Sequence, residues 1–504
     1  MERSNLRRSL LALSLASLFS LAGFGPGCGD DGSSTFLEGS RSSSGAPCTG
    51  FGCTGMEDGG KAGCRGLECE QVDCLDPSDA TTLTGTVYDP AGKVPVFNAV
   101  VYVPREKTAE LGEISEGASC DRCDAKITGD PVVITTTDTS GNFVLKNVPP
   151  VDDLPLVIQI GKWRRIIRVP QVAKCASSTV DAALTRLPRN RSEGNIPRIA
   201  LTTGAADALQ CLLRKIGIDD SEFGIAGSDA RVHLYQGGGY PSSAGPVLAS
   251  SKFAGGATFP PAESLWNDGA NLKSYDVVLL ACEGAEDETT CPTCTGATKP
   301  DAAKTALYEY TKAGGRAFMS HYHEVWLRKN PDPAVSGIAE FAVDTFPPAG
   351  TNAKTTAIKA DISSAFPKAQ AMAEWLGRQG ALENGKLPIY DARHDVNAVS
   401  SNALGWISVL NTATVPAGSP VNKTAIEYLS FNSPVGASDA DVCGRVVLSD
   451  IHVAAGATPD DPTKDFPSGC NAEPLNAQQK ALEFMLFDLS SCVQRDEDPL
   501  VQPK

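Results

Sequence analysis

The sequence predicts a multidomain chain: a small antiparallel β-sandwich, then an α/β domain doubly wound on a parallel sheet. Three observations carry this. Between residues 80 and 187, short alternating strands are separated by turn residues. Beyond residue 197 the pattern becomes continuous apolar runs interleaved with helical periods. Within 302–326, a helical run stops at Gly314 and Gly315, the apolar segment Ala317-Phe318-Met319 follows, and Ser320-His321-Tyr322-His323 breaks it off. That order is one αβ step of such a sheet, and ligands of open α/β sheets bind beyond the carboxyl ends of the strands.

Composition sets the limits. At 504 residues and 41% hydrophobic content the chain can fill more than one core. A net charge of −16 without a Lys/Arg cluster argues against a nucleic-acid partner. Arg3, Arg7 and Arg8 precede an apolar stretch, 10–22, that is too short to span a bilayer as a mature helix, so residues 1–28 are expected to be an export signal. Gly25-Pro26-Gly27-Cys28 resembles a bacterial lipoprotein signal, although Gly25 stands where such signals carry Leu. The resemblance implies lipidation of Cys28, membrane contact through that anchor, and a place in the cell envelope, at the outer membrane, periplasm or cell surface. Sixteen cysteines suit an exported chain. With Cys28 lipidated, at least one of the rest lacks a partner within the chain. Cys211 and Cys282, in a helix and a strand interior, are the candidates.

Residues 29–78 read as a Gly/Ser/Cys-rich tether, flexible over 33–46 and stapled by disulfides among Cys48, Cys53, Cys64, Cys69 and Cys74. No histidine stands near these cysteines, which disfavours a zinc site. Strands are expected at 83–88, 98–103, 132–137, 142–145, 156–160 and 163–169, within a sandwich domain spanning 79–187. Residues 188–197, with Pro188 and Pro197, read as a linker. The α/β domain, 198–493, opens with a strand at 199–203 and a helix at 206–216 whose Leu209, Leu212, Leu213 and Ile216 share a face. Further strands are expected at 231–235, 275–282, 424–431 and 445–449, and an amphipathic helix at 475–489; residues 494–504 are a tail.

Two resemblances follow from these segments. Gly85-Thr-Val-Tyr-Asp89, Asn98-Ala-Val-Val-Tyr-Val103 and Thr137-Asp-Thr-Ser-Gly-Asn-Phe-Val-Leu145 resemble the carboxypeptidase regulatory-like family, a transthyretin-like sandwich. An insertion at 106–129 carrying Cys120-Asp-Arg-Cys123 departs from that pattern, and these cysteines are expected to staple it, to each other or to partners such as Cys175. Residues 196–492 resemble the class I glutamine amidotransferase-like fold, flavodoxin-like in winding, and within it the ThuA-like branch. The resemblance rests on 275–284, on 309–321, and on Gly444-Arg-Val-Val-Leu-Ser-Asp-Ile-His452. Amidotransferases place a cysteine at the elbow after the glycine-stopped strand; here His321 stands there, and Cys282 lies one element too early. His452 matches the family histidine, but Val453 and Ala454 follow it, without the orienting carboxylate. The resemblance therefore does not extend to a thiol-based glutaminase.

His321 and His452 are expected to meet at one rim, with His323 and Asp450 two residues away along an extended backbone. Three readings stand open. His321, His323, Asp450 and His452 could bind a divalent metal, the one cofactor the sequence suggests. His321 and His452 could be a catalytic acid–base pair in a hydrolase or sugar-modifying enzyme. Alternatively, both are satisfied core histidines in a binding or structural protein with a carbohydrate or peptide ligand, the reading preferred on sequence. Asp391-Ala-Arg-His394-Asp395 reads as a solvated loop that could roof the pocket, His233 as structural, Cys291-Pro-Thr-Cys294 as a loop disulfide, and Trp266, Trp326 and Trp375 as core.

Overall fold

The computed structural model describes residues 63–76, 79–108, 111–286, 298–344, 356–412 and 421–501. Seven strands come first: β1 (Thr82–Thr86), β2 (Val100–Val103), β3 (Val133–Thr136), β4 (Asn142–Lys146), β5 (Asp152–Ile160), β6 (Trp163–Gln171) and β7 (Ser177–Thr179). They form a three-stranded sheet, order β4-β1-β7, and a four-stranded sheet, order β3-β2-β5-β6. All pairings are antiparallel except β1 with β7. Alternation aims one side of each strand inward: along β4, Phe143 and Leu145 are buried while Asn142, Val144 and Lys146 are exposed.

The following segment supplies β8 (Ile199–Thr202), α1 (Leu209–Lys215), β9 (Phe223–Gly224), β10 (Val232–Tyr235) and a hairpin of β11 (Tyr240–Ser242) with β12 (Gly245–Val247). After α2 (Glu263–Trp266) and α3 (Gly269–Lys273) come β13 (Val277–Leu280), α4 (Asp301–Lys312) and β14 (Arg316–Ser320). Next are α5 (Val325–Arg328), α6 (Pro333–Ser336), β15 (Ala339–Asp344), β16 (Ile358–Ile362), α7 (Pro367–Arg378), β17 (Leu387–Ile389) and β18 (His394–Val399). The chain closes with β19 (Leu404–Asn411), β20 (Lys423–Ser433), β21 (Gly444–Ser449) and α8 (Ala477–Ser490).

Ten strands make one sheet, ordered β17-β16-β19-β20-β21-β14-β13-β8-β10-β9. The run from β21 to β9 is parallel, as the apolar periods imply. The other four strands pair antiparallel, so the sheet is mixed rather than wholly parallel. Apolar side chains leave both faces of the parallel strands. Leu201, Leu279, Phe318 and Val447 share a core with α1 and α8, while Ala200, Val278, Leu280 and Met319 pack with Trp266, Trp326 and Leu307 of the helices on the other side. Burial on two faces is why these strands read as unbroken apolar runs.

The sandwich residues belong to the same hydrophobic cluster as α1 and α8. Phe97 stacks on Phe484 of α8, ring centres 5.8 Å apart, and Trp375 Nε1 donates to the Pro95 carbonyl at 2.8 Å. Residues 117–123 of the insertion cross the amino ends of the central strands. Gly314 (φ +104°) bends there so tightly that a Cβ would lie 2.1 Å from the Ser119 carbonyl oxygen, a place where only glycine fits. Disulfides fix the crossing: Cys120–Cys443 and Cys123–Cys492. This corrects the expectation that Cys120 and Cys123 pair locally; Cys175 instead pairs with Cys74. Cys64–Cys69 and Cys211–Cys470 complete the set among the described residues, and Cys282 alone of their cysteines is free. Cys211 is thereby removed from the candidates for an unpaired thiol. Cys28, Cys48, Cys53, Cys291 and Cys294 lie outside the described residues. No helix among the described residues is long and apolar enough to cross a membrane.

Candidate functional site

Three adjacent parallel strands, β13, β14 and β21, end at one rim and deliver one chemical group each. β14 is buried throughout and runs out at Ser320. His321 then takes φ +44°, and the chain turns at once into a 3-10 turn (His321–Glu324) and α5. A non-glycine residue in the left-handed region signals local strain that its surroundings must hold. They do so through Asp207: one carboxylate oxygen accepts from Ser320 Oγ at 2.7 Å, the other from the Val453 amide at 2.7 Å and the Ala208 amide at 2.9 Å. This single buried side chain ties the ends of β14 and β21 to the loop after β8. α8 holds the loop after β21 as well, Gln478 donating to the His452 carbonyl and Gln479 to the Val453 carbonyl at 3.0 Å.

So positioned, the groups converge. Cys282 Sγ, just past β13, lies 3.2 Å from His321 Nδ1. The His321 and His452 rings are 5.2 Å apart, centre to centre. One ligand atom from each of Cys282, His321 and His452 falls within 4.8 Å of the other two. The three are 0%, 6% and 1% exposed, so they face one another rather than solvent. Behind each imidazole stands a carboxylate: Asp395 Oδ2 is 3.7 Å from His321 Nε2, and Asp391 Oδ2 is 3.7 Å from His452 Nδ1. The Tyr322 ring covers His321 at 4.0 Å between ring centres.

The electrostatics are uneven. Burial, reinforced by His452 and Arg393, pushes His321 well below the usual imidazole range. Burial opposes charge on His452 too, but Asp391, Cys282 and Asp207 outweigh it and carry that ring to about 10. Burial and the neighbouring Asp450 push the Asp395 and Glu427 carboxyls well up; burial lifts Asp450 to about 6. Several buried polar atoms here have no hydrogen-bond partner among the described residues: both ring nitrogens of His452, Asp395 Oδ2, Asp450 Oδ1 and both carboxylate oxygens of Glu427. Such orphans are costly and ask for an explanation.

Of the residues singled out in the sequence, His321 and His452 are brought together. His323 is turned away: its Nε2 bonds the Ala281 carbonyl at 2.9 Å and its Nδ1 accepts from Trp326 Nε1 at 2.8 Å, the pattern of a satisfied core histidine. Asp450 lies behind the centre, where its Oδ2 accepts from the Asp395 amide at 2.9 Å. The 391–395 loop is not solvated: Asp391, His394 and Asp395 are all buried. His394 is held by Asn397 and Asn411, and His233 by Tyr275 and the Ser228 carbonyl. Trp266 and Trp326 pack edge to face in the core. Sequence reasoning missed Cys282 as a neighbour of the elbow, and Asp391 and Asp395 as the carboxylates behind the rings. The density of chemistry-bearing types in Asp-Ala-Arg-His-Asp was the one clue.

No protein-family model matches the chain, and none of the curated proteins does. Among solved structures, the chain is similar to a ThuA-like protein from Bacteroides uniformis, at 10% identity over 57% of this chain and 90% of that one, with a TM-score of 0.29. A second ThuA-like protein, from Parabacteroides merdae, is similar at 11% identity over 59% and 91%, TM-score 0.29. A cytoplasmic protein from Salmonella typhimurium is similar at 11% identity over 58% and 98%, TM-score 0.26. Likeness at this level does not extend to activity.

Proposed function

We propose that the chain is an exported, lipid-anchored envelope protein with a binding role, held to the membrane through Cys28. In this reading the α/β body resembles the amidotransferase-like frame, lacks a thiol at the elbow, and offers its carboxyl rim to a carbohydrate or peptide ligand. The sandwich resembles the carboxypeptidase regulatory-like accessory modules. One observation carries the reading: His321 occupies the strained elbow and points its Nδ1 at Cys282 rather than outward. An elbow turned inward onto buried partners serves holding better than turnover.

A hydrolase reading stands second on one observation. Asp391 comes within 3.7 Å of His452 and supplies the orienting carboxylate that the residues following His452 lack. The test is a panel of amides, esters and glycosides offered to the wild-type chain and to the His321→Ala, His452→Ala double variant. Equal, background rates in both are expected. Turnover by the wild type that the double variant loses would replace the binding reading with the hydrolase one. Detergent partitioning of wild type against Cys28→Ser checks the anchor, and unchanged partitioning would remove it.

A further inference from the structure

We propose that Cys282, His321 and His452 hold a d-block cation of the zinc class. The proposal rests on the binding reading above and deepens it by naming the ligand class at the centre of the rim; it shares the Cys282–His321 contact with that reading and adds the placement of His452 and of the two carboxylates.

The donor set comes first. A thiol and two imidazoles are ligands for zinc or copper, whereas magnesium and calcium take oxygen. The spacing comes second. Bonds of about 2.0–2.3 Å in a tetrahedral site place neighbouring donors roughly 3.3–3.8 Å apart. Cys282 Sγ and His321 Nδ1, 3.2 Å apart, already stand near that edge length, and His452 lies within a small side-chain adjustment of it.

The surroundings come third. A metal-bound histidine usually gives its other ring nitrogen to a carboxylate, which fixes its tautomer. Each imidazole has a carboxylate placed for that role at ion-pair distance, short of a hydrogen bond: Asp395 Oδ2 stands 3.7 Å from Nε2 of His321, and Asp391 Oδ2 3.7 Å from Nδ1 of His452. This assigns Nδ1 of His321 and Nε2 of His452 as the ligating atoms. The fourth point is the orphaning of His452. Both its nitrogens are buried without a hydrogen-bond partner among the described residues, and a cation would satisfy one of them. Finally, each donor sits at the end of a different strand of one rigid sheet, β13, β14 and β21, so the set is pre-organised before any ion arrives.

The test uses the full chain, purified without chelator, dialysed against Zn2+ and then measured for bound metal. Close to one Zn2+ per chain is expected at this site, with affinity lowered about 100-fold or more in Cys282→Ser and about 10–100-fold in Asp391→Asn. Co2+ in place of Zn2+ should give the near-ultraviolet thiolate-to-metal absorption of a bound cysteine, absent in Cys282→Ser. Zinc content and affinity unchanged in Cys282→Ser would overturn the proposal, as would Co2+ binding without that absorption. Should Cys282→Ser fail to fold, His452→Gln gives the same affinity comparison and the wild-type Co2+ spectrum decides the thiolate on its own. The two readings fail separately. Absence of zinc with no turnover removes the metal and leaves the binding role, whereas zinc-dependent turnover lost in Cys282→Ser keeps the metal and removes the non-catalytic role.

Discussion

The two rims of the ten-stranded sheet are built by opposite rules. At the amino rim, charges are paired and the chain is covalently fastened. Lys162 reaches Asp276 at 2.5 Å, Arg316 donates to the Cys443 and Ser491 carbonyls, and Arg445 lies between Asp488 and Asp496. Two disulfides bind the sandwich insertion to the same edge. Polar atoms without a hydrogen-bond partner occur at both rims, but at the amino rim Arg445 Nε and Asp488 Oδ2 belong to paired charges, whereas at the carboxyl rim a thiol, two imidazoles and several carboxylates are crowded together with both nitrogens of His452 and both oxygens of Glu427 left over. Folding alone would select against such crowding, since unpaired buried polar groups cost stability and the same sheet shows how readily they can be paired. The amino rim is where the chain is fastened; the carboxyl rim carries buried polar groups that fastening does not explain.

The sharpest way to break the comparison is to cut the fastenings. Cys120–Cys443 and Cys123–Cys492 close loops of 323 and 369 residues in sequence separation, and long closed loops restrict the unfolded chain most. Replacing Cys120 and Cys123 together with Ser should cost about 2–5 kcal/mol for each bridge, seen as a large drop in the denaturation midpoint. A change within error would mean that the amino rim is held by its ion pairs alone. Those pairs give the next effect. Burial by itself would raise the Asp496 carboxyl, but Arg445 and Lys368 outweigh it and hold it at about 2. A carboxyl depressed in the folded state contributes stability above its unfolded value and loses it as pH falls toward the folded one. Unfolding midpoints should therefore fall steeply between about pH 4 and pH 2, on the order of 2 kcal/mol. Arg445→Met should cost about 3 kcal/mol at neutral pH, because it leaves buried Asp496 and partly buried Asp488 to share Lys368, and should flatten that acid limb. An intact acid limb in the variant would assign the effect elsewhere.

What could be read from residues alone divides along the same line. The parallel half of the sheet was legible because strands such as β13 and β14 are apolar on both faces, and the Gly314-Gly315 stop marks where β14 begins. Parallel strands in register end together, so the meeting of His321 with His452 followed from topology. The antiparallel extension was not legible: β16 reads Ile-Lys-Ala-Asp-Ile and is only partly buried, so it lacks the apolar run that announces a central strand. Disulfide partners hundreds of residues apart leave no local trace. The burial of Asp391 and Asp395 was invisible for a related reason. Charged residues read as solvated unless one knows what packs above them, and Asp395 is enclosed by Asp450 and by the imidazole of a distant strand end. Sequence periodicity reports the faces of a strand; it carries no record of what closes over its end.

The smallest expected effect tests the carboxyl rim by its sign. Glu427, on β20, is fully buried, and neither carboxylate oxygen has a hydrogen-bond partner among the described residues. Its backbone carbonyl accepts from the Asp450 amide at 2.8 Å, a bond that substitution of the side chain leaves alone. Burial and the Asp450 carboxylate push its own carboxyl well above the ordinary range. A group whose folded value is raised helps most below its unfolded value and loses that help as pH rises toward the folded one. The wild-type midpoint should therefore decline as pH climbs from about 4.5 through neutrality. Glu427→Gln keeps the shape and removes the titrating proton, so it should stabilise the chain by about 1 kcal/mol near pH 8 and level the decline. A gain from conservative neutralisation is what a rim whose buried charges do not serve cohesion predicts. If Glu427→Gln instead lowers the midpoint at every pH, the side chain contributes cohesion after all, and the contrast between the two rims reduces to the disulfides.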